Sequence, residues 1–420
     1  FDGLQVSIML GAFVAVLVLF SIPITLLGMI SPFAIRLSMD DAKQAGKISG
    51  NIYAISTLGS FLGTYLPVLV LIPTIGTTHT FLAFSLFLLF VALVGLAKSA
   101  GTRMMLPYLL MVVAITALAL INGGRNIKKT AGQIYETESA YNYIEVLQRG
   151  TETHLRLNDG QGIHSVYDPD NLDYNGPWQQ FLVGPFFNTP PHRISDVQRI
   201  AIVGLAAGTS ARQATAVFGP IPIDGFEIDP KIIEVGREYF GMDMPNLDAR
   251  AEDGRWGLAH SSYQYDIIAV DAYRPPYIPW HMTTREFFQI AYDRLTQTGV
   301  LTINVGRLPN DRRLINGLAT TIADIFPSVH IMDIPYTLNS IIYATKQPTN
   351  EHFLAENFSL IYEDSATHPL LLEAMQTAWA YRQDGFETTT IFTDNLAPIE
   401  WITNDMILRF MMSGDVENLQ

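Results

Sequence analysis

Hydrophobic residues run almost unbroken through the first third of the chain and become periodic in the rest. Four stretches, 6–30, 50–73, 79–97 and 104–121, are nearly all apolar. Each approaches the roughly 20 residues an α-helix needs to cross a bilayer, so the pattern predicts four spanning helices in a domain of residues 1–121. The second stretch gathers Gly50, Ser56, Gly59, Ser60 and Gly63, small residues that let helix backbones approach closely. No Asp, Glu, Lys or Arg lies well inside any of the four. Transport pathways normally need such groups, so a transporter is the least favoured class.

Past a polar linker, Asn122 to Thr130, the period shortens. Residues 141–147 and 154–157 alternate as strands do, and Asn158-Asp159-Gly160 supplies hairpin-turn chemistry. These features predict a small antiparallel β domain within 122–190. An aromatic stretch, Tyr174 to Phe187, then leads into residues 191–350, where strands and helices alternate at βαβ spacing. Strands are expected over 199–205, 221–228, 247–251, 265–271, 299–305, 328–334 and 340–346, with helices over 209–218, 230–240, 284–297 and 311–325. Only Pro335 to Asn339 separates the last two strands. That is too short for a parallel crossover, so they should pair antiparallel. Residues 351–420 read as a C-terminal helical extension.

Composition changes this picture in three ways. The chain is 49% hydrophobic and only 16% charged, against about 25% charged in ordinary soluble domains. Its net charge of −14 speaks against nucleic acid as a partner, since phosphate contacts need clustered Lys and Arg. It has no cysteine, which rules out disulfides, thiolate nucleophiles and Cys-held metals. Arg36, Lys43, Lys47, Lys98 and Arg103 fall on one side of a four-helix arrangement, and Arg125, Lys128 and Lys129 on the other. The positive-inside rule weakly places the first group in the cytoplasm and the large domain outside. The start at Phe1, with neither a basic n-region nor a cleavage site, leads us to expect that further residues precede it.

Candidate chemistry concentrates at the predicted strand ends, where open α/β sheets bind ligands. Gly204 and Gly208 sit in the first strand-to-helix turn, where small residues let a nucleoside pack against backbone. Glu227 ends the second strand and suits the ribose hydroxyls. Asp253 and Gly254 follow the third strand. There Asp253 either meets an adenine amino group or caps the helix near Trp256. Asp271, flanked by Tyr273, ends the fourth strand and could hold a substrate amine and take its proton. Arg274 to Met282 is a Pro-stiffened aromatic loop suited to a lid. Its His281 has no obvious Ser or Asp partner in sequence.

The ordered set Glu138-Ser139-Ala-Tyr141-Asn142-Tyr-Ile144, Leu157-Asn-Asp159-Gly160, Glu227-Ile-Asp229, Asp253-Gly254 and Tyr265-Asp266-Ile-Ile-x-x-Asp271 resembles the spermidine synthase (polyamine aminopropyltransferase) family. The likeness covers about residues 132–346. The apolar front and the tail Phe392-Thr393-Asp394-Asn395-Leu-Ala-Pro398-Ile-Glu400 resemble its membrane-fused branch. The resemblance implies a small β domain ahead of a Rossmann-like α/β transferase core. It also implies transfer of an aminopropyl group from decarboxylated S-adenosylmethionine to an amine, without a metal. On this likeness Glu227 binds ribose, Asp253 adenine, and Asp271 deprotonates the attacking amine. Asn142 lies where the family usually has a nucleoside-contacting Gln, and Tyr141 would border the amine pocket.

The chain departs from the family in its glycine turn, whose Asp, a holder of the donor's amino group, aligns with Ala207. The Gln after the β-hairpin is replaced by His164, and Tyr174-Asn-Gly-Pro-Trp178 offers no clear Tyr-His-Glu motif. Two other readings therefore stay open: a methyltransferase-like enzyme using intact S-adenosylmethionine, and a silent transferase fold within a membrane complex. The expected partners are a small amine and nucleoside, the lipid bilayer, and either other membrane-complex subunits or a second copy. Because adenosyl sulfonium substrates are made in the cytoplasm, the soluble domain is expected on that side of an integral membrane protein.

Overall fold

Apolar strands from Ile200 onward build one eight-stranded sheet that carries the candidate residues at its edge. The computed structural model of the chain describes residues 2–39, 42–122, 127–158, 162–273 and 277–413. Asp159 and Gly160 of the predicted turn, residues 123–126 of the linker, and 274–276 at the start of the aromatic loop lie outside these.

The chain divides into two compact units. In the first, three helical stretches are long and apolar enough to cross a membrane, Phe13–Ser38, Ala45–Ala100 and Thr102–Ile121. The sequence predicts four; the second and third predicted spans both fall in Ala45–Ala100. Helical backbone runs on through Pro67 and Pro73, and the path breaks at a kink between the two predicted spans. A wide turn over Pro67–Leu71 takes up Pro67, and Thr74 donates its hydroxyl to the Val70 carbonyl at 2.7 Å. Non-helical backbone appears at Gly76, with φ 76° and ψ 165°, where the path kinks.

The second unit begins with a four-stranded antiparallel sheet: β1 (Gln133–Glu138), β2 (Tyr143–Arg149), β3 (Glu152–Leu157) and β4 (Ile163–Tyr167). There follow β5 (Ile200–Val203), α1 (Thr209–Phe218), β6 (Ile223–Glu227), α2 (Pro230–Tyr239), β7 (Leu247–Ala251), α3 (Gly254–His260) and β8 (Tyr265–Val270). The sheet is completed by α4 (Arg285–Arg294), β9 (Leu295–Gly306), α5 (Arg313–Ala323), β10 (Ser328–Asp333) and β11 (Asn339–Thr345). The extension adds α6 (His352–Tyr362), α7 (Pro369–Ala380), a short edge strand β12 (Arg382–Gln383) and α8 (Ile399–Ser413).

The large sheet runs β12-β10-β11-β9-β8-β5-β6-β7. Strands β5 to β9 are parallel, and β10 and β11 pair antiparallel, as their short connection requires. The chain winds outward from β5 through β6 to β7, then returns to the other side as β8 and β9. The order therefore reverses between β5 and β8, the topological switch point where such sheets form a crevice. One apolar core lies on the face covered by Trp178–Phe187, α1, α6 and α7, and a second on the face covered by α3, α4 and α5. A third joins the small sheet to α2.

Candidate active site

Gly204 leaves β5 with φ 86°. A Cβ there would sit 2.5 Å from the Asp271 carbonyl oxygen, so only glycine lets the ends of β5 and β8 meet so closely. Asp271 is drawn in by its own N–H, which donates to the Val203 carbonyl at 2.8 Å. One Asp271 carboxylate oxygen accepts from Asn304 Nδ2 on β9 at 2.8 Å, and the other has no hydrogen-bond partner among the described residues. Burial pushes this carboxyl up to about 6, within reach of ordinary working pH for a base. The Tyr273 hydroxyl donates to the Asn304 carbonyl at 3.2 Å and accepts from the Gly306 N–H at 2.6 Å. Burial holds this phenol well above its usual range.

On the other side of the switch point, Glu227 ends β6 almost fully buried. It accepts from the backbone N–H of Ala206 at 3.0 Å and of Asp229 at 3.1 Å. Burial pushes its carboxyl up to about 7, against the lowering effect of those N–H groups. Each oxygen keeps a lone pair for a further donor, so the carboxylate can still accept two neighbouring hydroxyls. Gly208, with φ 85°, packs where a Cβ would strike Met242 at 2.6 Å. Asn142 reaches this loop from the small sheet. Its Nδ2 donates to Asp229 at 2.9 Å, and its Oδ1 accepts from Asn158 at 2.9 Å. Tyr141, its neighbour, is half exposed.

Beyond β7, Asp253 takes the capping role for α3, accepting the Trp256 N–H at 2.9 Å. Its other oxygen pairs with His281 Nε2 at 2.9 Å. This supplies the partner that the sequence does not reveal for His281. The imidazole's hydrogen bond holds Asp253 below the usual carboxylate range. Gly254 lets α3 lie on β5, where a Cβ would meet Val203 at 2.4 Å.

The sequence reading missed Asn304, although its signal is there: a polar residue inside the otherwise apolar Ile303 to Val305. Ala207, at the family's Asp position, is buried among Ile144, Leu155, Val235 and Phe240, and its N–H donates to the Ser165 hydroxyl at 3.0 Å. Burial lowers the His164 imidazole to about 4, so this ring is neutral at physiological pH.

Residues 188–356 match the family model of the spermine/spermidine synthase domain. The probable polyamine aminopropyl transferase of Bifidobacterium longum is 31% identical over 283 residues, 63% of this chain and 61% of that protein. The polyamine aminopropyltransferase of Vibrio vulnificus is 25% identical over 280 residues, 63% of this chain and 89% of that protein. Among solved structures, a probable spermidine synthase from Corynebacterium glutamicum aligns with TM-score 0.46 and 20% identity over 63% of this chain and all of that one. Residues 188–356 are thus similar to the spermine/spermidine synthase domain, and the chain spans less than two thirds of the length of its Bifidobacterium relative.

Proposed function

We propose that the protein is a membrane-anchored aminopropyltransferase that moves an aminopropyl group from decarboxylated S-adenosylmethionine to a small amine. The observation that carries this reading is the Asp271 carboxylate, raised to about 6 by burial and half-bonded to Asn304 at the switch point. The acceptor nitrogen attacks the propyl carbon next to the sulfonium. The C–S bond breaks with its electron pair passing to sulfur, methylthioadenosine leaves, and the nitrogen's proton passes to Asp271. At neutral pH a carboxyl of that pKa is ionised and can take the proton. Glu227 would fix the ribose, with Gly204 and Gly208 leaving room for the nucleoside against backbone and Asn142 nearby.

A cavity of about 220 Å³ supports a cationic acceptor. Asp173, Gln180, Tyr336, Thr337 and Glu373 are among its lining residues. The negative charge of Asp173 raises the Glu373 carboxyl, the direction expected of a wall that suits an added positive charge. The carbonyl of Thr337 in this lining accepts from the Arg307 guanidinium at 3.0 Å. The neighbour of Arg307, Gly306, bonds Tyr273. Ala207 offers no charge to the donor's ammonium, which must find its partner on another wall or be weakly held.

The test is to incubate purified protein with decarboxylated S-adenosylmethionine and a panel of diamines. Mass spectrometry should find equal amounts of methylthioadenosine and an aminopropylated amine. Methylated product from intact S-adenosylmethionine, or no product with any acceptor, would defeat the proposal.

A further inference from the structure

A nucleoside whose ribose lies on Glu227 at the end of β6 carries its base toward the next strand end, that of β7. The two strands are in register there, Glu227 opposite Ala251, and the Glu252 N–H donates to the Glu227 carbonyl at 3.0 Å. Asp253 follows directly, yet it is not a bare carboxylate. One of its oxygens holds the Trp256 N–H and the other holds His281 Nε2, both at 2.9 Å. A carboxylate only accepts, so in the neutral ring Nε2 carries the proton and Nδ1 keeps its lone pair. Nδ1 has no hydrogen-bond partner among the described residues, and the His281 side chain is 31% exposed.

His281 does not hold this position by itself. Arg255, in the first turn of α3, donates to the His281 carbonyl at 2.9 Å. The same guanidinium pairs with both oxygens of Asp394 at 2.7 Å. Asp394 also accepts from Thr284, the cap of α4, at 2.7 Å. The tail that carries Asp394 is itself pinned. The Phe392 N–H donates to Thr321 at 2.9 Å, its carbonyl accepts from the Arg285 N–H at 2.8 Å, and its ring lies where a Cβ on Gly317 would meet it at 2.3 Å.

We propose that His281 is a base-reading side chain, and that Asp394 is the positioning residue that keeps it on Asp253. The ligand class is a 6-aminopurine nucleoside, whose exocyclic N–H donates to Nδ1. A 6-oxopurine would set a carbonyl oxygen against that lone pair. A site built around one polar contact rejects the analogue that cannot make it. This inference rests on the ribose role proposed for Glu227.

The test is calorimetric titration with methylthioadenosine and methylthioinosine. Wild-type protein should prefer the amino form by about tenfold or more, a difference of about 1.4 kcal/mol. His281→Ala should bring the two within about twofold by weakening methylthioadenosine. Asp394→Asn should lower the ratio as well, whereas a purely structural role for Asp394 would lower Tm and leave the ratio alone. If His281→Ala does not fold, the ratio in Asp394→Asn decides. An unchanged ratio in the folded variants overturns the inference while leaving the proposed function standing. If wild-type protein binds neither nucleoside, the proposed function fails first.

Discussion

Two buried carboxyls at the candidate site titrate near working pH. Glu227 and Asp271 are held at about 7 and about 6, both above their unfolded values. A raised carboxyl contributes stability that is fully present below the unfolded pKa and is lost as pH rises through the folded one. Their own contribution to stability therefore falls between about pH 4 and 7, opposed over much of that range by the buried His164 and His330, whose imidazoles, lowered to about 4, add stability as pH rises. Glu227→Gln removes one falling contribution and should raise Tm at pH 7 relative to pH 4 compared with wild type, which thermal scans across this range check. Turnover runs the other way, because the base must be ionised. It should fall about tenfold per pH unit below about 6. Asp271→Asn should lower kcat by about a hundredfold or more and leave methylthioadenosine affinity within about twofold; an unchanged rate would remove Asp271 from the chemistry. These two carboxylates are legible in sequence because each follows a run of strand-forming residues. Asn304 shows only as a polar residue in an apolar run, and its pairing with Asp271, like that of Asp253 with His281, depends on which strand ends and loops the topology brings together.

At the level of elements, periodicity locates the parallel strands and the antiparallel hairpin, whose signals are local. It fails where pairing overrides local preference. The predicted helix 284–297 ends at Arg294, because Leu295 already pairs with Tyr265 on β8. The seven-residue α3 is too short to show a period, and the sequence offers only Asp253 as its cap. Trp178–Phe187 reads as a connection but folds as tight helical turns with every residue buried, because it covers one face of the sheet. The turn after β5 is the least tolerant element. Gly204→Ala puts a Cβ 2.5 Å from the Asp271 carbonyl oxygen at φ 86°. It should destabilise the second unit by about 1–3 kcal/mol and separate the two halves of the site. Chemical denaturation together with nucleoside titration would show both losses; a variant as stable and as tight-binding as wild type would refute the close approach.

For the whole molecule, the N-terminal helices are long and apolar enough to cross a bilayer, and we infer that they hold the transferase domain at a membrane with its site toward the cytoplasm. The absence of cysteine makes this testable. Trp401→Cys places a single thiol at a position 67% exposed on α8. A membrane-impermeant maleimide should label it only after cell lysis, and labelling in intact cells would reverse the orientation. The central claim, however, is that the strand ends form a working donor site despite Ala207. Calorimetric titration of the detergent-solubilised protein with decarboxylated S-adenosylmethionine, its intact form and methylthioadenosine tests that most directly. The account predicts micromolar binding with the decarboxylated donor preferred over the intact one, and at least a tenfold loss, about 1.4 kcal/mol, in Glu227→Ala. Binding of none of the three by the folded protein would contradict it.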